Sequence, residues 1–83
     1  MELTDTIRMM NSDDYKDRFK AEYFQTLIRQ QKLFRMTVKY KAGNLGFFPK
    51  CSYELLMEQL RVMGQYLHLL EVRAEVEGIN LYD

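Results

Sequence analysis

The sequence predicts an all-α protein: a long antiparallel helix–loop–helix hairpin that assembles into an oligomeric helical bundle. Three observations lead there. The stretch from Ser12 to Ala42 contains no glycine or proline, and that from Ser52 to Glu77 is broken only by Gly64. Between them lies AGNLGFFPKC, which holds two of the four glycines and the only proline. Both stretches carry apolar residues over more of the helical circumference than a simple hairpin contact covers. A chain of 83 residues and 10.0 kDa has room for one core.

Residues 1–11 read as an N-terminal arm, either disordered or one short helix around Thr4 to Met10. Residues 12–83 read as a single hairpin domain. The first helix is expected to start near Ser12, where Ser-Asp-Asp supplies a capping oxygen and two carboxylates at the positive end of the helix dipole. Gly43 suits the position just past its end, with Lys39 and Lys41 in the last turn. The second helix is expected to start at Ser52, with Glu54 in its first turn, and to stop at Gly78. Ile79 then supplies the apolar contact of a Schellman motif. Each helix is about 40 Å long at 1.5 Å per residue. Leu45, Phe47 and Phe48 are too apolar for a solvated tip, so the loop is expected to bury them and cap the end of the bundle.

On the first helix one row collects Tyr15, Phe19, Tyr23, Thr26, Gln30, Leu33, Thr37 and Tyr40. A neighbouring row collects Phe24, Leu27, Ile28, Gln31, Phe34 and Val38. The second helix repeats the arrangement. Leu56, Leu60, Met63, Leu67, Leu70 and Ala74 form one row, and Leu55, Val62, Tyr66, Leu69 and Val76 form the next. A hairpin gives each helix one neighbour, so the extra rows point to self-association or to cover from the arm and the FFP loop. Gly64 fits a close approach by another helix; as a bland alternative it is a tolerated cost of about 1 kcal/mol.

Net charge is zero, but it is unevenly spread. From Tyr23 through Tyr53 there are six basic residues and no Asp or Glu. Arg18, Arg29, Lys32, Arg35 and Lys39 share about a third of the helix surface. The second helix is acidic, with Glu54, Glu58, Glu71, Glu75 and Glu77 against Arg61 and Arg73. The stripe therefore reads either as a solvated face pairing with these carboxylates or as a site for phosphates. Candidate ligand-binding residues are Arg29, Lys32, Arg35 and Lys39 for charge, Arg73 for a bidentate fork, and Tyr40 for stacking on a base. Tyr15 and Tyr53 lie near enough to join Tyr40, although tyrosines in a small helical protein are more often core residues.

Chemistry beyond binding is not expected. His68 and Cys51 are single, so no four-ligand zinc site can be built within one chain. Cys51 has no internal disulfide partner, which favours a reducing cytosol. No phosphate-binding glycine loop is present, and no acid–base pair stands out, so neither catalysis nor a cofactor is expected. No apolar run approaches the ~20 residues of a membrane span, and the N-terminus lacks a signal-peptide pattern.

Lys32-Leu33 before Met36, then VKYKAGNLGFFPKC and LLMEQLRVMGQYLHLLEVRAEVEGI, resemble a group of small helical proteins encoded by bacteriophages and prophages of gut bacteria, relatives of a crAss-like phage protein. Leu56, Gln59-Leu60, Met63, Tyr66, Leu70 and Arg73 are the most recognisable part. In size, helicity and expected oligomerisation the chain is also similar to helical phage sponge proteins that sequester cyclic nucleotide or cyclic ADP-ribose signals of bacterial immunity. These resemblances imply a phage-encoded, non-enzymatic anti-defence protein of the bacterial cytoplasm that oligomerises and sequesters a phosphate-containing nucleotide signal. The alternative is an inhibitor or adaptor that binds a host defence protein through an apolar helix face. Neither a membrane nor nucleic acid is an expected partner. Sedimentation at micromolar concentration should give at least the mass of a dimer; a cooperatively unfolding 10.0 kDa species would exclude self-association.

Overall fold

The computed structural model describes residues 1–82. The chain enters through a 3-10 turn, Leu3–Thr6, and a one-turn helix, α1 (Ile7–Met10). Two long helices follow, α2 (Tyr15–Ala42) and α3 (Tyr53–Glu77), and no strand occurs among the described residues. α2 and α3 pack antiparallel as the expected hairpin, with overall dimensions of 43 × 24 × 20 Å.

The caps show why the helices stop where they do. Gly43 sits at φ 78°, in the left-handed region that lacks a penalty only for glycine. The turn this allows lets Asn44 N–H donate to the Lys39 carbonyl at 2.9 Å and Gly43 N–H to that of Tyr40 at 3.1 Å. At the other end Gly78 adopts φ 70° and Ile79 N–H reaches the Ala74 carbonyl at 2.8 Å, the expected Schellman pattern. Ser52 caps α3, its hydroxyl accepting from Leu55 N–H at 3.1 Å. The start of α2 differs from expectation by two residues. Asp14, not Ser12, accepts from the first-turn N–H of Lys16 at 2.9 Å, while the Ser12 hydroxyl accepts from Asp14 N–H at 3.0 Å. Ser12 thus serves the reverse turn that folds the arm back.

The arm is ordered and lies on α2. Thr6 is fully buried, and Gln25 Nε2 donates to its hydroxyl at 2.9 Å. Ala21 and Ile28, roughly opposite Phe19 on the helix, are buried on that side. The arm thus accounts for the apolar surface of the first half of α2, while Phe34 and Val38 further on stay exposed.

The core is concentrated at the open end of the hairpin. Phe19 and Tyr23 pack there with Leu67, Leu70 and Ala74, and Phe24 and Leu27 lean against them. The tail returns past Gly78 to add Ile79 and Leu81 to the same cluster. The expected α3 row is buried throughout, except for half-buried Met63, and Leu56 and Leu60 carry the seam toward the loop. The loop departs from expectation. Phe48 is 100% exposed and Phe47 57%, so neither ring caps the hairpin within the chain. The ten residues between Ala42 and Tyr53 hold both rings at the surface, beside Tyr40, Leu45 and Pro49. No Cβ contact lies within 4 Å of Gly64, so the close approach expected there is not made inside one chain.

Leu70, 1% exposed at the centre of the cluster, marks where stability resides. Leu70→Ala should lower it by about 2–5 kcal/mol, whereas Phe48→Ser should change it by under about 0.5 kcal/mol in urea titrations of the single chain. A large loss for Phe48→Ser would mean that another copy covers the loop.

Candidate functional site

The hairpin carries two polar regions with different chemistry. The open end is laced by tyrosine–carboxylate contacts across the helix seam. Tyr23 Oη donates to Glu71 Oε2 at 2.7 Å, and Tyr66 Oη donates to Glu22 Oε1 on the other side. Arg73 joins this end. Its Nη2 donates to Tyr15 Oη at 2.9 Å, its Nε to Glu77 Oε2 at 3.2 Å, and its guanidinium lies 5.0 Å from the Phe19 ring centre. These groups clamp α3 to the first turns of α2, a structural task rather than a pocket.

The loop half is the opposite in sign. Arg29, Lys32, Arg35 and Lys39 are all exposed on the outer side of α2, spread over ten positions, or about 15 Å of helix. Among the described residues the ion pairs are Arg61–Glu58 and Arg73–Glu77, both within α3. None joins the α2 cations to the acidic helix, so the stripe is not neutralised inside the chain.

Beside the stripe lies apolar and aromatic surface. A groove of about 280 Å³ is lined by Phe34, Thr37, Val38, Lys41, Tyr53 and Met57. A hollow of about 210 Å³ lies at the loop against Tyr40, Leu45, Phe47, Phe48 and Pro49. The Tyr40 and Tyr53 rings separate the two, 5.5 Å apart and tilted by 37°, and Lys41 Nζ lies 5.5 Å from the Tyr53 ring centre. Each of these two spaces is smaller than the 300–1,000 Å³ typical of a complete small-molecule site, and a further open hollow of about 440 Å³ lies on the stripe itself against Gln30, Gln31, Phe34 and Arg35. A larger hollow of about 910 Å³ lies at the arm, where Arg8 faces two carboxylates, Asp13 and Asp17, away from the α2 stripe.

Of the residues expected to bind, the structure gathers Arg29, Lys32, Arg35 and Lys39 on one face and sets Tyr40 near its end. Arg73 is not brought to them. It is held beside Tyr15, twenty-four positions from Lys39, or about 36 Å along α2. Phe34, Lys41, Tyr53 and Met57 join the candidate site instead. Their signal was the spacing Phe34, Val38, Lys41 with Tyr53 and Met57 on the facing helix. Sequence reasoning placed Phe34 and Val38 in an apolar row without connecting them to the cations. His68 is exposed, and no cluster of three metal-ligating side chains occurs among the described residues. No helix of the described residues is long and apolar enough to cross a membrane.

Comparison with known proteins returns one family. The profile of that family, described as Sequestin, matches residues 13–76, from the residue before the α2 cap to the penultimate residue of α3. No curated protein and no solved structure matches the chain.

The clamp at the open end carries a pH dependence. Burial and the hydrogen bond to Glu71 push the Tyr23 phenol well above its ordinary 10.0. The hydrogen bond to Glu22 raises Tyr66 in the same direction. A raised phenol means that the folded chain holds its proton longer than the unfolded one, so stability is full below pH 10 and is lost as pH rises beyond it. Tyr23→Phe should flatten that alkaline loss in thermal melts between pH 8 and 11. An unchanged slope would mean that Tyr23 is not the group responsible.

Proposed function

We propose that this chain, which belongs to the Sequestin family, captures a phosphate-containing nucleotide and withholds it without turning it over. The family's name points to sequestration. The ligand class rests on one observation: the run from Tyr23 to Tyr53, which is the second part of α2 and the loop, presents cations with no carboxylate among them, next to grooves lined by aromatic rings. An anion with a flat apolar part matches that surface. Phosphate oxygens accept from Arg29, Lys32, Arg35 and Lys39, while Phe34, Tyr40 and Tyr53 offer faces for a base or apolar sugar surface.

In this reading the ligand is a cyclic nucleotide or cyclic ADP-ribose type of immune signal, and the protein acts for a bacteriophage inside its host. Copies associate in this reading, and the open hollows of one chain are closed by a second. Binding alone then accounts for the action. The exposed α3 row of Leu55, Val62, Leu69 and Val76 favours a second reading, in which a host defence protein is bound there.

Calorimetry with cyclic dinucleotides, cyclic trinucleotides and cyclic ADP-ribose isomers tests the first reading. A charge-assisted contact to phosphate contributes about 1.5–3 kcal/mol, so Lys32→Ala or Arg35→Ala should weaken binding about tenfold or more. Both should keep the wild-type melting point, since neither side chain is buried. If the wild type takes up none of these compounds, the protein-partner reading gains.

A further inference from the structure

The outer face of α3 holds four apolar residues spaced seven apart. Leu55, Val62, Leu69 and Val76 are 57%, 48%, 59% and 81% exposed, and Tyr66 lies beside them. Seven residues fall about 20° short of two full turns, so the row is a continuous, gently left-handed band along nearly the whole helix. It is an unpartnered apolar stripe of one residue in seven, narrower than the two per heptad of a full coiled-coil seam.

From this row we infer that α3 pairs antiparallel with α3 of a second copy, about a two-fold axis between Gln65 and Tyr66. The inference rests on the self-association proposed above and gives it an interface. Three facts select a second copy as the occupant. The row is symmetric about its own centre, so Leu55 meets Val76 of the other chain and Val62 meets Leu69, as an isologous contact requires. Charges agree in part: in that register Glu58 lies opposite Arg73 of the second copy, both with exposed side chains that also pair with Arg61 and Glu77 of their own chain, while Glu54 lies opposite Glu77. Lastly, the chain exposes 6195 Å², where a compact monomer of this mass exposes about 5,200 Å². The excess, about 1,000 Å² per chain, compares with the ~800 Å² that each partner buries in a standard interface.

The pairing has a consequence for the candidate site. Within the hairpin Tyr15 meets Arg73 and Glu22 meets Tyr66, which puts Glu58 of α3 level with Gln30 of α2, between Arg29 and Lys32. The antiparallel partner therefore brings its Arg73, remote from the stripe in one chain, to the height of Arg29 and Lys32.

Cysteine cross-linking in a Cys51→Ser background tests the register. Disulfides need Cβ atoms about 3.5–4.5 Å apart. Gln65→Cys, next to the axis, should form a covalent dimer under mild oxidation. Glu58→Cys should not, because two copies of position 58 stand fifteen residues, or about 22 Å, apart along the axis. Leu69→Glu should reduce the sedimenting mass to 10.0 kDa with the helical circular dichroism unchanged, since Leu69 is exposed in the single chain. Self-linking by Glu58→Cys as fast as by Gln65→Cys would overturn the antiparallel pairing in favour of a parallel one. A multimeric mass with neither variant linking, and with Leu69→Glu still multimeric, would place self-association on another face and leave the proposed function standing. A 10.0 kDa wild type at micromolar concentration would remove this inference and the self-association together, while nucleotide capture would still be decided by calorimetry.

Discussion

A helix hairpin has one seam, and everything else in this protein depends on that limit. Each helix can bury a single stripe against the other, about 100° of its circumference. α2 and α3 both carry roughly twice that in apolar side chains. The chain relieves the excess locally where it can, with the arm on α2 beside Ala21 and Ile28 and the tail adding Ile79 and Leu81. Both devices act at the open end, and neither the described arm nor the described tail covers the loop end. The chain's radius of gyration of 15.0 Å, against about 12 Å for a compact domain of this length, measures what remains uncovered.

That division of labour separates the stabilising core from the surface proposed to bind. The open end holds the core cluster and the tyrosine–carboxylate clamp. It is acidic and cross-linked by hydrogen bonds, so it fixes the relative position of the two helices. The loop end is basic, aromatic and open. A rigid base that holds an unfinished, positively charged surface suits the capture of an anion. It also explains why Arg73, a cation that would suit phosphate, has a different occupation inside one chain. It lies where carboxylates and a phenol compete for it, and where Phe19 gives it an apolar face to rest on.

Much of the fold was legible because it is local. The capping serine at 52, the glycines at 43 and 78 and the Ile79 contact follow from backbone sterics within a few residues. The α3 core row is a matter of period, and Leu56, Leu60, Leu67, Leu70 and Ala74 are buried together. Asp14 took the cap from Ser12 because both residues can cap and only the path of the arm decides between them. Phe47 and Phe48 looked like buried residues by composition. Burial, however, depends on the path of the loop, which holds both rings at the surface.

By itself the sequence determined the two helices, their ends, the row that forms the seam and the carboxylate-free run of cations. Each depends on residue type and spacing along one helix. Only the tertiary structure decided that the arm covers the first half of α2, that Leu81 returns to the core, and that Phe34, Lys41, Tyr53 and Met57 line one groove. It also decided that Arg73 is engaged at the far end while the four α2 cations stay unpaired with α3. These are contacts between side chains distant in sequence. They depend on the antiparallel register of the hairpin, which no periodicity along a single helix can specify.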